Sequence, residues 1–149
     1  MNIMKTIKKI QLVEFKNLFL TMIKKMSLED IDDDCAEEIL ALRYYSEFED
    51  KWTELRENSP IINKLRLDKI KLYSEEIYKN LPKKLHHELS LCIYEDFELL
   101  ATYLIADEDN RYIAEMLLCY ADGNIPSLYL EKSEKSIQKV FNKLQVKYK

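Results

Sequence analysis

Apolar residues recur every three or four positions along most of the 149-residue chain, with polar and charged residues between them. This spacing puts the apolar side chains on one side of a helix. The pattern predicts a first helix over residues 4–26 and a long second helix from about residue 34 to residue 58. The apolar stripe of the second helix consists of Cys35, Ile39, Leu42, Tyr45, Phe48, Trp52 and Leu55.

Prolines mark the starts of the next two helices. Ser59 followed by Pro60 is typical of a helix start, because serine caps free amides and proline lacks the amide that would go unpaired. This pair predicts a third helix over residues 60–80, and Pro82 opens a fourth helix that reaches about residue 104. The apolar face of the third helix consists of Ile62, Leu65, Ile70, Tyr73, Ile77 and Leu81.

The last third of the chain predicts two further helices. A fifth helix covers residues 111–121, and Gly123 follows at the position where a helix commonly ends in a left-handed residue. Pro126 and Ser127 then start a sixth helix. Its apolar residues include Leu128, Leu130, Ile137, Val140, Phe141 and Leu144.

The composition fits a helical domain. No stretch alternates apolar and polar residues in the manner of a strand, and a single glycine leaves few positions for hairpin turns or phosphate-binding loops. Hydrophobic residues make up 47% and charged residues 34%, which favours a folded and soluble protein. We expect one all-α domain over residues 1–149, an irregular antiparallel bundle of about six helices.

Catalytic and metal-binding residues are sparse. Cys35, Cys92 and Cys119 are far apart in sequence, lack C-x-x-C spacing and are predicted to be reduced core thiols. His86 and His87 are neighbours, so they point about 100° apart on a helix and do not face one metal together. The pattern favours a protein that is not an enzyme and holds no metal or cofactor, with a helical enzyme as a lesser alternative.

The amino-terminal residues do not have the pattern of a secretory leader. Glu14 and Lys16 interrupt the apolar stretch, and no small-residue cleavage site follows. We therefore expect the protein in the cytoplasm.

Charge is distributed in blocks, although the formal net charge is only -4. Residues 28–50 contain ten acidic side chains and a single basic residue, Arg43. Residues 94–122 contain eight acidic side chains and also a single basic one, Arg111. If the two blocks meet in space, they form a negative surface that attracts a basic protein and repels nucleic acid and anionic membranes.

The ends of the chain are rich in lysine instead, and they support a different hypothesis. A basic surface of this kind binds nucleic acid or membranes in some proteins. Arginine is almost absent from these segments, and lysine alone is typical of a solvated helix face. We therefore favour a protein partner over nucleic acid or a membrane, and the oligomeric state stays open.

Three segments of the chain resemble those of a known class of proteins. They are the acidic run over residues 28–40, the tyrosine pair within residues 41–50 and the second acidic run over residues 107–112. The chain resembles the small acidic helical immunity proteins that bacteria encode beside secreted toxins, including those of contact-dependent growth inhibition. The resemblance implies a stoichiometric inhibitor without turnover that binds a cognate toxin, often a nuclease. Another helical adaptor or a phage-type inhibitor is the alternative.

The acidic and tyrosine residues of the two blocks form the predicted partner-binding site, because carboxylates steer a basic partner and tyrosines are enriched at interfaces. The predicted site consists of Asp30, Asp32, Asp33, Asp34, Glu37, Glu38, Tyr44, Tyr45, Glu47, Glu95, Asp107, Glu108, Asp109 and Tyr112.

Overall fold

The computed structural model describes residues 11–148, and it confirms the all-α prediction, since these residues form helices and no strand. The helices are α1 Leu12–Lys24, α2 Asp33–Tyr44, α3 Glu47–Glu57, α4 Lys64–Lys79, α5 His87–Ile105, α6 Arg111–Ala121 and α7 Ile137–Lys147, with a short 3-10 helix at Leu28–Asp30. Of the first predicted helix, residues 4–10 lie outside the described residues.

Helix α5 lies at the centre of the bundle. It is buried along most of its length, and α1, α2, α4 and α6 all pack against it. Aromatic side chains fill the core around it: the rings of Phe15 and Phe97 stack with centroids 5.2 Å apart, and Phe19 contacts both Phe97 and Tyr120. The buried apolar residues of all seven helices form one contiguous cluster.

The predicted long second helix is wrong, because the chain turns a corner after Tyr44 and forms two helices. Ser46 adopts an extended conformation and its hydroxyl accepts a hydrogen bond from the Phe48 amide, which starts α3. The corner lets α2 and α3 present their own core faces, so the buried side of α2 carries Ala36, Leu40 and Arg43.

The corner also changes which residues of the predicted second helix face the core. Cys35, Leu42 and Tyr45 are exposed, and only Phe48 and Leu55 are fully buried. Ile39 and Trp52 are half-buried against the core. Cys35 is therefore not a core thiol, whereas Cys92 is buried and Cys119 is half-buried.

Three helices begin later than their prolines predict, because other side chains cap them. The Asn63 side chain accepts from the Arg66 amide at 2.9 Å and starts α4, which leaves Leu65 82% exposed. The Ser136 hydroxyl accepts from the Lys139 amide at 3.2 Å and starts α7. The sixth predicted helix thus loses residues 126–136 to an irregular segment, in which Leu128 is exposed.

The fourth predicted helix also begins late, at His87 rather than directly after Pro82. The His86 ring nitrogen Nδ1 accepts from the Glu88 amide at 3.2 Å and caps α5. The fifth predicted helix matches α6 at both ends, and Gly123 follows it with φ at 85°. This left-handed conformation confirms the structural role predicted for the glycine.

Candidate partner-binding surface

A buried carboxylate, Asp96 of α5, joins four helices. Its two oxygens accept hydrogen bonds from both terminal nitrogens of Arg43 at 2.8 and 2.9 Å. They also accept from the Trp52 indole nitrogen at 2.9 Å and from the Tyr120 hydroxyl at 2.6 Å. Because the donors lie on α2, α3 and α6, this cluster fixes the positions of these helices relative to α5. We call it the Asp96 cluster.

The electrostatics of the Asp96 cluster follow from burial. Burial alone would lower the pKa of Arg43, but the adjacent Asp96 carboxylate outweighs it and holds the pKa above its ordinary value. Burial and the charge of Asp96 raise the pKa of Tyr120 well above its ordinary value. Arg43 also donates to the Pro126 carbonyl at 2.8 Å and stacks on the Phe48 ring at 4.6 Å. The guanidinium is therefore held on several sides.

A cleft opens to the surface directly above the Asp96 cluster, where α2, α3 and α5 meet. It has a volume of about 130 Å³ and is lined by Arg43, Tyr44, Glu49, Trp52, Cys92 and Glu95. The Tyr44 hydroxyl lies 3.5 Å from the Cys92 sulfur, so Tyr44 of α2 leans onto α5. A second cleft of about 140 Å³ shares Trp52 and Glu95 and continues along α3 and α5. At the rim, Arg56 donates to Glu95 at 3.1 Å.

Two exposed carboxylates on α2, Asp33 and Glu37, form a row that leads to Tyr44 at this cleft. Asp33, Glu37 and Tyr44 are four and seven residues apart, so they lie along one side of the helix, and all three are exposed. Asp30, Asp34 and Glu38 are exposed beside them. Within residues 11–148, none of these carboxylates forms a salt bridge. We define the α2–α5 surface as Asp33, Glu37, Tyr44, Glu49, Trp52 and Glu95.

Three other predicted residues lie near the ends of α2. The Asp32 carboxylate accepts from the Cys35 amide at 2.8 Å and caps α2, so its position is fixed by a structural role. Tyr45 is 89% exposed at the corner after α2. Glu47 is exposed in the first turn of α3 and contributes a favourable charge at that helix start.

The remaining predicted residues do not join the α2–α5 surface. The Asp109 carboxylate accepts from the Ile137 amide at 3.1 Å and from Arg111 at 3.0 Å, which ties it to the start of α7. Lys51 lies over the Tyr112 ring at 4.1 Å. Since Lys51 and Arg56 are on opposite flanks of α3, the helix separates Tyr112 from Glu95. Asp107 and Glu108 are exposed in the connection between α5 and α6.

Sequence reasoning missed the Asp96 cluster and the contribution of Trp52 and Glu49 to the cleft. One signal was present: Arg43 is the single basic residue within a run of acids, and an isolated arginine of this kind is a candidate for a buried pair. Its partner depends on how α2 packs against α5, which sequence spacing does not encode. In the sequence, Asp96 lies within the second acidic block, and no local signal distinguishes it from the acidic residues there that are exposed.

The two histidines have local contacts in this structure. His86 caps α5, and His87 Nδ1 lies 3.1 Å from the Tyr78 hydroxyl. Across residues 11–148, no three histidine, cysteine or carboxylate side chains are grouped so that they could hold a metal ion. In the same residues, no helix is both long enough and apolar enough to cross a bilayer.

Comparison with known proteins gives one family. Residues 7–127 match the family Immunity protein PIM1. No curated protein and no solved structure matches the chain significantly. The match confirms the resemblance to immunity proteins that the acidic and tyrosine-bearing segments indicated. It spans α1 to α6 and both predicted acidic blocks, and the chain therefore belongs to the immunity protein PIM1 family.

Proposed function

We propose that this immunity protein is a non-catalytic, stoichiometric inhibitor that binds a basic cognate toxin through the α2–α5 surface. Membership in an immunity protein family supports a toxin as the partner. The observation that carries the proposed site is the row of exposed carboxylates on α2, without salt bridges among the described residues, that ends at Tyr44 beside the cleft.

Charge explains how such a surface selects its partner. Unpaired carboxylates attract a basic protein over a distance of about one Debye length, roughly 8 Å at physiological salt. A nuclease has a basic groove for its substrate, so we favour a nuclease as the toxin. Asp30, Asp34 and Glu38 extend the negative charge beside the row, and they speed association without needing to be buried in the complex.

Aromatic residues then hold the complex together. Tyr44 and Trp52 both line the cleft, are partly exposed and combine apolar area with a polar atom. Buried tyrosine and tryptophan side chains carry much of the binding energy at protein interfaces. The Asp96 cluster fixes Trp52 and the helix that carries Tyr44, so little conformational entropy is lost on binding.

The outlying predicted residues fit a second, weaker contact zone. Tyr45 and Glu47 are exposed at the corner between α2 and α3, Tyr112 lies across α3 from Glu95, and Asp107, Glu108 and Asp109 are exposed between α5 and α6. Lys51 and Arg111 reduce the negative charge there. We propose that this zone contributes to binding only for a toxin large enough to extend around α3, and that the inhibitor acts in the cytoplasm.

Coexpression with the candidate toxin tests the function. The probe is a candidate toxin, sought as a toxin-like domain encoded beside this chain and expressed under an inducible promoter in a bacterial host. We expect induction of the toxin alone to stop growth and coexpression of this chain to restore it, with a one-to-one complex in calorimetry. Growth arrest in the presence of folded immunity protein, with no complex in calorimetry, would contradict the proposal.

A pair of variants tests the site within the same assay. Tyr44→Ala removes an exposed aromatic ring from the cleft, whereas Leu72→Ala removes an exposed apolar side chain of α4 on another face. We expect about a hundredfold loss of toxin affinity for Tyr44→Ala, within the range of interface hot spots, and less than about threefold for Leu72→Ala. Equal losses for the two variants would remove Tyr44 from the interface.

A further inference from the structure

A second groove lies between α6, α7 and the segment of residues 131–135 that leads into α7. It has a volume of about 720 Å³ and shares no lining residue with either cleft of the α2–α5 surface. Its apolar residues come from both helices: Leu118, Ala121, Val140, Leu144 and Val146. Leu118 and Ala121 are half-buried and Val146 is 76% exposed, so apolar surface is open to solvent in this groove.

The charges on the α6 side of the groove are opposite to those on the α7 side, and the connecting segment also contributes Lys132 and Glu134 to the lining. Glu115 of α6 and Asp122, which directly follows α6, are seven residues apart, so they point in the same direction, and Glu131 lies close to Glu115. On the other side, Lys143 and Lys147 are four residues apart on α7. Lys135, from the connecting segment, lies beside Lys143. We call these the acidic wall and the basic wall.

Each wall crowds like charges together. Partial burial, with the charges of Glu131 and Asp122, raises the pKa of Glu115. A contact with the Lys135 ammonium and the repulsion from it lower the pKa of Lys143. A partner group of opposite charge would therefore reduce the repulsion within each wall.

The two walls do not neutralise each other. Among residues 11–148, no salt bridge connects a carboxylate of the acidic wall to an ammonium of the basic wall. The groove between the walls, about 720 Å³ in volume, leaves room for an occupant. The groove thus offers apolar contact at its centre and unsatisfied charge of each sign at its edges.

We propose that this groove binds an amphipathic helix of a partner protein, with lysine or arginine along one edge and aspartate or glutamate along the other. The apolar side of that helix rests on Leu118, Ala121 and Leu144, its basic edge faces α6, and its acidic edge faces α7. Helices commonly bind to proteins in this manner, with anchors three or four residues apart. The 11 residues of α7 span about 16 Å, which matches about three turns of the bound helix.

Synthetic helical peptides test the charge arrangement directly. Three 14-residue peptides share one leucine face and differ in their edges: one lysine edge and one glutamate edge, lysine on both edges, or glutamate on both edges. We expect the mixed peptide to bind the full chain at least about tenfold more tightly than either single-charge peptide, measured by fluorescence anisotropy. Similar affinity for all three peptides, or no binding of the mixed peptide, would overturn the proposal.

A charge reversal of one wall provides the second arm. The variant Lys143→Glu with Lys147→Glu gives the basic wall a net negative charge, with Lys135 as its remaining cation, and both substituted side chains are exposed, so the fold is retained. We expect this variant to prefer the all-lysine peptide over the mixed peptide. The control variant Lys79→Glu with Lys83→Glu carries the same charge change at the end of α4 and beyond it, and should keep the original preference. An unchanged preference in the wall variant contradicts the assignment of the basic wall.

Discussion

Arg43 of α2 and Asp96 of α5 are 53 residues apart in sequence and form a buried bidentate ion pair, with N···O distances of 2.8 and 2.9 Å. Arg43 is the single basic residue of the first acidic block. Since its guanidinium is bound in the interior, it does not neutralise the carboxylates on the surface of α2. The pair therefore stabilises the helix packing and also leaves the acidic row on α2 more negative than the sequence count indicates.

Removing the charge of Asp96 should destabilise the fold strongly. In Asp96→Asn, the Arg43 guanidinium stays buried without its counter-ion, and breaking a buried pair in this way costs about 3–5 kcal/mol. The free energy of unfolding from urea titration, followed by far-UV circular dichroism, measures the loss. The neighbouring variant Glu95→Gln is the control, because its ion pair with Arg56 is largely solvated and contributes at most about 1 kcal/mol. Equal losses in the two variants would show that the buried pair does not hold α2 to α5.

The indole hydrogen bond of Trp52 should make a smaller, separate contribution. Trp52→Phe keeps an aromatic ring at the cleft but removes the donor to Asp96, and a hydrogen bond to a charged acceptor is worth about 2 kcal/mol. Thermal and urea unfolding measure the change. Thr53→Ala, at the exposed adjacent position, should change stability by less than about 0.5 kcal/mol. If Trp52→Phe were as stable as the unmodified chain, the indole nitrogen would have no role in the Asp96 cluster.

The three cysteines should react at very different rates. Cys35 is exposed on α2, whereas burial raises the pKa of Cys119 to about 11, so roughly one Cys119 thiol in a thousand is ionised at pH 8. Burial also raises the pKa of Cys92. We expect iodoacetamide at pH 8 to modify the native protein once, at Cys35, as read by peptide mass spectrometry. Labelling of all three cysteines in urea is the control, and rapid native labelling of Cys119 contradicts its burial.

Glu115 should make stability depend on pH. Partial burial and the charges of Glu131 and Asp122 raise its pKa above the ordinary 4.5, so the folded state favours the protonated carboxyl. This contribution to stability is complete below pH 4.5 and is lost as pH rises through the higher folded pKa. Glu115→Gln should therefore be more stable than the unmodified chain at pH 7 and equally stable at pH 4. A gain of the same size at both pH values would contradict the pKa shift.

Local sequence signals predicted much of the fold. The bounds of α6 follow from the Asn110 cap, whose side chain accepts from the Tyr112 and Ile113 amides, and from the left-handed Gly123. Helix α5 buries Leu89, Ile93 and Phe97 at helical spacing, while Glu88 and Leu91 are exposed. These signals depend on residues close together in the chain.

Other features depend on competition between local signals or on distant contacts. Ser46 interrupts a continuous apolar period, and nothing in the spacing shows that it caps a helix rather than lying within one. Asn63 and Ser136 compete with Ser59 and Ser127 as caps and start the helices later. The pairing of Tyr44 with Cys92 depends on how α2 crosses α5. For the same reason, the sequence does not show that α3 separates Tyr112 from Glu95 in the predicted acidic site.

The association rate of the toxin with a charge-reversed α2 tests the central claim most directly. Asp33→Lys with Glu37→Lys reverses two exposed carboxylates of the row and keeps the Asp32 cap, while Glu57→Lys with Asp68→Lys makes the same charge change on α3 and α4. At low salt, stopped-flow measurements should show association with the toxin at least about tenfold slower for the α2 variant and nearly unchanged for the control. Equal association rates for the two folded variants would contradict the α2–α5 surface as the toxin-binding site.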